Sequence, residues 1–257
     1  MKLLELLKDL QDTAIKIKIA QPYLCGGVPR DKYMKRLDNI EDIDITNGSK
    51  DIDYLSTEFA NKLKQKYNIT RKSMSDGHST IFIGTLKMDF SSNFIVPNID
   101  YILQQMKIDK PSSLFKEVVS RDFTCNSLLM TTDLSKILDP LKRGFQDINE
   151  RKIRTCLAPE ITLTSNRNRV VRSIYLACKL GFDIDNSIIK YVATNPQVVK
   201  ISTDKVMKEK LTAAFEKDGD KASYFIAKMN LWNQIPIIQS AFKYYQKHLL
   251  LGKTNVK

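Results

Sequence analysis

Hydrophobic and polar positions in the first half of the chain alternate between two periods. Leu3, Leu4, Leu6, Leu7 and Leu10 recur at helical spacing and predict an amphipathic opening helix. Pro22-Tyr23-Leu24-Cys25 is a short apolar run ending at Gly26-Gly27, which predicts a buried strand and a tight turn, with a helix over 28–37. Ile43 and Ile45 alternate with Asp42 and Asp44, the period of a strand. A helix is expected over 53–67, then strands over 81–83 and 85–90 joined at Gly84. Beyond Asp139-Pro140 the pattern turns helical, over 167–180, 187–193, 204–215, 222–231 and 239–251, with breaks at Gly181, Pro196, Gly219 and Pro236. A mixed α/β half thus precedes an all-α half.

Composition narrows the class. The 257 residues are enough for one or two domains with a full core, and an apolar share of 42% lies well above a disordered composition. Lys and Arg number 41 against 29 Asp and Glu, a formal net charge of +12 that favours a polyanionic partner, nucleic acid first; a merely soluble basic surface is the alternative. Cys25, Cys125, Cys156 and Cys178 form no CxxC pair, which fits a reducing compartment. His78 and His248 are the only histidines, so no zinc site is expected. No apolar stretch reaches the ~18 residues of a membrane span, and the charges within MKLLELLKDL argue against a secretion signal. Cytoplasm is the expected location.

The strongest chemical signal is Glu41-Asp42-Ile43-Asp44-Ile45. On a strand Asp42 and Asp44 share a face while Ile43 and Ile45 enter the core. Two adjacent carboxylates repel unless a cation lies between them, and oxygen ligands suit Mg²⁺ with substrate phosphates. An exposed edge strand carrying alternating acids would read the same way. The Gly26-Gly27 turn lets backbone N–H groups approach a phosphate, and Arg30 lies near enough in sequence to add a charge contact; a simple tight turn is the alternative. Asp89, after Met88 in a second strand-like run, is a third carboxylate candidate, or else a solvated strand-end acid.

Leu24-Cys25-Gly26-Gly27-Val28-Pro29-Arg30-Asp31 followed by Glu41-Asp42-Ile43-Asp44-Ile45 resembles the head-domain signature of the class II tRNA nucleotidyltransferases (CCA-adding enzymes) and bacterial poly(A) polymerases, in the DNA polymerase β-like nucleotidyltransferase superfamily. Gly77-His78-Ser79-Thr80-Ile81 is similar to that family's HGT strand start, and Arg121-Asp122-Phe123-Thr124-Cys125-Asn126-Ser127-Leu128 to its RDFTxNAL motif. Asp139-Pro140, Gly144 and Asp147-Ile148 resemble the connection into the neck. Arg169-Val170-Val171-Arg172 through Leu180-Gly181-Phe182 resembles the neck helix, and Ile201-Ser202 with Glu209 the helix after it. The resemblance spans 20–215. It implies an α+β protein: a nucleotidyltransferase head with a mixed sheet and flanking helices over 1–138, a helical neck for base recognition over 139–215, and a short helical C-terminal region over 216–257 that offers an RNA contact. It implies a short form lacking most of the family's body and tail.

The resemblance further implies template-independent transfer of CMP and AMP from CTP and ATP to an RNA 3′-hydroxyl, with 3′-CCA addition or repair on the tRNA acceptor end as the leading reading. Poly(A) polymerase activity and a catalytically inactive RNA-binding protein are the alternatives. Asp42 and Asp44 would bind Mg²⁺ in a two-metal arrangement, with Asp89 as third carboxylate. Gly26, Gly27, Arg30, Arg121, Asp122 and Asn126 would serve nucleotide binding in the head, and Asn166, Arg169 and Arg172 in the neck. The chain departs from the pattern at Asn166, where the family has aspartate, which implies looser discrimination against U and G. It also departs at Tyr175 (a frequent arginine), Ser120 (arginine) and Pro29 (valine). The stretch 239–248 interleaves aromatics with lysines and would either clamp RNA or dock as a terminal helix through Phe242 and Tyr245.

Overall fold

The computed structural model describes residues 2–37, 40–92, 95–199, 205–232, 238–243 and 246. The chain divides into two compact units, 1–148 and 149–257. Ile201-Ser202, Pro236, Tyr244, Tyr245, Lys247 and His248, to which expectations were attached, lie outside the described residues.

In the first unit the elements run α1 (Leu3–Lys16), β1 (Tyr23–Cys25), α2 (Gly27–Tyr33), β2 (Asp42–Thr46), α3 (Ile52–Leu63), β3 (Ile69–Ser73), β4 (Ser79–Ile83), β5 (Leu86–Phe90), α4 (Ile99–Gln105), α5 (Ser113–Val119), β6 (Leu129–Thr131), β7 (Ile137–Leu138) and α6 (Gly144–Asn149). The seven strands form one mixed sheet in the order β3-β4-β5-β2-β1-β6-β7. Only β2 and β5 pair in parallel, with Asp42 opposite Lys87 and Asp44 opposite Asp89; the remaining pairs are antiparallel.

Strand alternation separates the two faces of this sheet. Leu24, Ile43, Ile45, Ile81, Ile83, Met88 and Phe90 point to one side, where Leu6, Leu7 and Leu10 of α1 and Leu55, Phe59 and Leu63 of α3 cover them in one buried cluster. Of the leucines expected on the core face of α1, Leu4 is 55% exposed, because the helix turns it past the sheet. Burying each such side chain contributes about 1.5–3 kcal/mol. Toward the β1 and β6 end, Cys25 and Leu129 pack on Val118 of α5 across the opposite face. That leaves Asp42, Asp44, Lys87 and Asp89 together on a polar stretch of sheet.

Two close approaches fix the chain around this stretch. A Cβ on Gly26 would lie 2.3 Å from Asp44 Oδ2, and Gly26 has φ +71°. A Cβ on Gly48, just past β2, would lie 2.4 Å from the Leu114 Cα of α5, and its φ is +67°. Only glycine meets both demands. Helix α6 belongs to the first unit: Asp147 is buried and accepts from Thr124 Oγ1 at 2.6 Å, and Asp139 Oδ2 accepts from the backbone N–H of Phe145 at 3.1 Å. The division between the two compact units falls at the end of α6, between Ile148 and Asn149.

The second unit holds β8 (Lys152–Ile153), α7 (Pro159–Ser165), α8 (Asn168–Leu180), β9 (Asp183–Ile184), α9 (Asn186–Thr194) and α10 (Lys205–Lys228). Among the described residues it is helical apart from β8 and β9, a two-residue parallel pairing that helical periodicity cannot reveal. Asp185 caps α9 by accepting from the Ser187 N–H at 2.9 Å. The break expected at Gly219 lies one residue earlier: Asp218 is extended, and its carboxylate accepts from the Lys221 N–H at 2.9 Å, so it caps the helical segment that follows. Phe242 packs against Phe215 and Trp232 at ring-centroid separations of 5.5 and 5.1 Å, the docking contact expected of a terminal helix. No helix among the described residues is long and apolar enough to cross a membrane.

Candidate active site

Parallel pairing of β2 with β5 brings three carboxylates and one ammonium together. Asp44 is flanked by Cys25 on β1 and Asp89 on β5, each directly opposite it in register. Asp42 and Lys87 occupy the next positions outward on the same face. Lys87 Nζ binds Asp89 Oδ2 and lies 3.5 Å from Asp42 Oδ1. The other oxygen of Asp89 accepts from Thr80 Oγ1 at 2.6 Å. Gly26 packs its bare Cα against the Asp44 carboxylate, and α2 begins at the next residue.

Electrostatics follow from this packing. Burial holds the Asp44 carboxyl above the ordinary range; Arg121 opposes that shift, and the charges of Asp42 and Asp89 reinforce it. Lys87 is held above the ordinary lysine range: burial pulls it down, but the hydrogen bond and charge of Asp89 and the charge of Asp42 outweigh burial. The β2 and β5 part of this face therefore carries three acids that repel one another and, among the described residues, one ammonium bonded to them, that of Lys87.

Behind Asp44 lies a group that sequence reasoning missed. Glu117 is fully buried in α5, accepts from Arg121 Nη2 at 2.6 Å, and accepts through its other oxygen from Thr46 Oγ1 at the end of β2. Ser112 starts α5 by accepting from the Phe115 N–H at 3.1 Å, and the four-residue spacing then brings Glu117 and Arg121 together. Arg121 Nη2 also donates to Cys25 Sγ at 3.0 Å, and the Cys25 thiol donates to the Asp44 carbonyl at 3.4 Å. Removing either member of this buried ion pair would leave an uncompensated charge, at about 3–5 kcal/mol. Arg121, expected to hold triphosphate or ribose, is ion-paired here to Glu117 and supplies positive charge to Asp44.

Arg30, expected to contact the incoming nucleotide, is held by protein partners in this structure. It is 3% exposed, and its fork is engaged on both oxygens of Asp31, at 2.8 and 2.9 Å, and on Asn126 Oδ1, at 2.5 Å. Asn126 Nδ2 in turn donates to Asp122 Oδ1 at 3.4 Å, and the same oxygen accepts from the Phe123 N–H at 2.8 Å. Arg30, Asp122 and Asn126 thus clamp the start of α2 to the segment after α5. Gly27 remains beside the Arg30 guanidinium, 3.4 Å from where its Cβ would stand.

The expected base-reading residues all lie in the second unit. Asn166 ends α7, is exposed, and accepts from the Asn168 N–H at 3.0 Å, which starts α8. Arg169 is buried and donates to the Thr162 carbonyl and Ser165 Oγ, at 3.1 and 2.9 Å, so it locks α8 onto the last turn of α7. Arg172 lies one turn further along α8, half-buried. At Tyr175, where the family often has arginine, a cation is still present: Lys210 Nζ of α10 lies 4.7 Å from the ring centroid.

Among the described residues no three His, Cys, Asp or Glu side chains already converge as a metal cage. The donor chemistry of the sheet face nevertheless suits a hard divalent cation. Asp42, Asp44 and Asp89 offer only oxygen, and the Asp44 carboxyl is raised chiefly by burial, with the charges of Asp42 and Asp89 adding to it.

Comparison with known proteins agrees with this geometry. The family model described as the poly A polymerase head domain matches residues 22–154, slightly more than half of the chain. The tRNA nucleotidyltransferase cca2 of Schizosaccharomyces pombe is 26% identical over 223 residues, covering 82% of this chain and 44% of its own length. The CCA-adding enzyme of Bacillus subtilis is 27% identical over 199 residues, covering 77% and 46%. The chain thus spans about half the length of these curated relatives. Among solved structures, a CCA-adding enzyme with ATP superposes with a TM-score of 0.66 at 19% identity over 89% of this chain and 51% of that one. The Thermotoga maritima CCA-adding enzyme complexed with tRNA gives 0.65 at 19% over 88% and 50%. Those superpositions carry the fold, and the family match over 22–154 carries the lineage: the chain belongs to the poly A polymerase head-domain family, that of the class II tRNA nucleotidyltransferases.

Proposed function

We propose that this chain is a template-independent nucleotidyltransferase that adds CMP and AMP, from CTP and ATP, to an RNA 3′-hydroxyl, with the 3′-CCA end of tRNA as its product. One observation carries the reading. Asp42, Asp44 and Asp89 share one sheet face beside the Gly26 turn that opens α2. The names of the relatives, a tRNA nucleotidyltransferase and CCA-adding enzymes, support the same chemistry.

Asp42 and Asp44, with Asp89 alongside, would hold Mg²⁺, which when bound lowers the pKa of an attacking hydroxyl and neutralises a leaving pyrophosphate. The chain's own residues do the rest. Gly26 brings backbone to the edge of Asp44 without a side chain, so the carboxylate keeps its place against the turn. Arg121, held by Glu117, supplies positive charge beside Asp44 and favours its ionised form. The Arg30, Asp122 and Asn126 clamp fixes the start of α2 against the segment that follows α5. Base selection is assigned to 139–215, with Asn166, Arg169 and Arg172 as its residues. In Asn166 an amide oxygen would accept from the exocyclic amine of C or A, and its NH₂ would tolerate a carbonyl.

The test is incubation of purified protein with Mg²⁺ and each labelled triphosphate on tRNA lacking its last one, two or three nucleotides. Three defined additions are the expected result. Long A tracts would reassign the chain to poly(A) synthesis, and no addition would make it a binder. In the same assay Asp44→Ala and Asp42→Ala are expected to abolish incorporation in protein that stays folded. Activity within tenfold of the unsubstituted protein would count against the assignment.

A further inference from the structure

The proposed function uses the carboxylates of the β2 and β5 face but leaves their one cation unexplained. Lys87 stands two residues before Asp89 on β5 and opposite Asp42 on β2, so its side chain lies on the same face as all three acids. Its ammonium bonds Asp89 and reaches Asp42, the outermost and most exposed acid of the group, whose side chain is 68% exposed. On this one face, Asp44 has its nearest positive charge from Arg121 at the β1 side, with Lys87 adding to it; Asp42 and Asp89 have theirs from Lys87. A divalent ion held by Asp42 and Asp44 would therefore meet an ammonium already seated against Asp42.

We propose that Lys87 is the resident counter-cation of this carboxylate face: it competes with a divalent ion for Asp42 and Asp89, and it transfers its charge to the polyphosphate when metal and nucleoside triphosphate arrive together. The inference rests on the proposed metal site. Lys87 is a positioning residue here. Two positive groups within a few ångströms repel, so the bare ion binds weakly while the ammonium is seated. A triphosphate reverses the sign of its surroundings. The side chain is flexible and 39% exposed, which leaves it free to turn from Asp89 toward the incoming phosphates. Metal loading is thereby tied to substrate, and the acids stay balanced between turnovers.

The experiment is titration of the full chain with Mn²⁺ alone, reading free ion by electron paramagnetic resonance, then with Mn²⁺ and CTP together. Lys87→Gln is expected to bind bare Mn²⁺ about tenfold or more tighter than the unsubstituted protein, and Lys87→Arg, which keeps the charge, to stay within threefold of it. In the presence of CTP the advantage of Lys87→Gln is expected to shrink or reverse. A tightening of less than threefold in Lys87→Gln, with binding still lost in Asp44→Asn, overturns the role of Lys87 and leaves the metal site standing. Mn²⁺ binding unaffected by Asp44→Asn in either background overturns the metal site, and this inference with it.

Discussion

Gly26 and Asp44 form one unit of chemistry. The glycine has φ +71° and its missing Cβ would stand 2.3 Å from an Asp44 oxygen. Gly26→Ala therefore combines backbone strain of about 1 kcal/mol with displacement of the carboxylate. The expected outcome is a modest drop in melting temperature and a loss of nucleotide incorporation far larger than that drop explains; retained activity would detach the turn from the site. Asp44 also carries a stability cost. Its carboxyl is raised, chiefly by burial, so the folded state binds the proton more tightly than the unfolded chain does. Stability is lost as pH rises from the unfolded value near 3.9 through the raised folded value, and the full cost is present above it. Asp44→Asn is expected to melt at or above the unsubstituted protein at pH 7, with the difference vanishing below about pH 4, while incorporation is abolished. A clear destabilisation at pH 7 would show that Asp44 is structural.

Among the elements, the first strand and α5 meet through thiols and charge. Burial pushes the thiols of Cys125 and Cys178 up to about 12 and that of Cys25 higher still, whereas Cys156 is half-buried. Iodoacetamide at pH 8 is expected to label the native protein at Cys156 alone and all four cysteines after denaturation. Labelling of native Cys25 would mean that β1 opens. The elements legible in the sequence are those with strong periodicity or clear breaks: α1, the β1 turn, α2, β2, α3, β4, β5, α8, α9 and α10. Strand β3 went unread because Ile69-Thr70-Arg71-Lys72-Ser73 lies at the sheet edge and shows one apolar side chain. Strands β6 to β9 are two or three residues each, too short to set a period. Asp42, Asp44 and Asp89 stood out because acids alternate with core residues there. Lys87 and Glu117 did not, since their meaning comes from strand register and from a buried partner, neither of which has a local signature.

At the scale of the molecule, the net charge of +12 is the broadest constraint on a partner. If it faces RNA, the association constant for tRNA in filter binding should fall at least about tenfold between roughly 50 and 200 mM salt, by counterion release. A flat profile would place the excess lysines away from the nucleic acid. The arrangement of the first unit carries one more implication. Gly48 lies outside the acidic face, yet its backbone is wedged against Leu114, and α5 continues from there to Glu117, the carboxylate that grips Arg121 beside Asp44. A methyl group at Gly48 would act as a crowbar, prising the helix from the sheet and withdrawing the guanidinium. Silent-looking variation at a loop glycine can thus disarm the centre without touching any residue that meets the substrate.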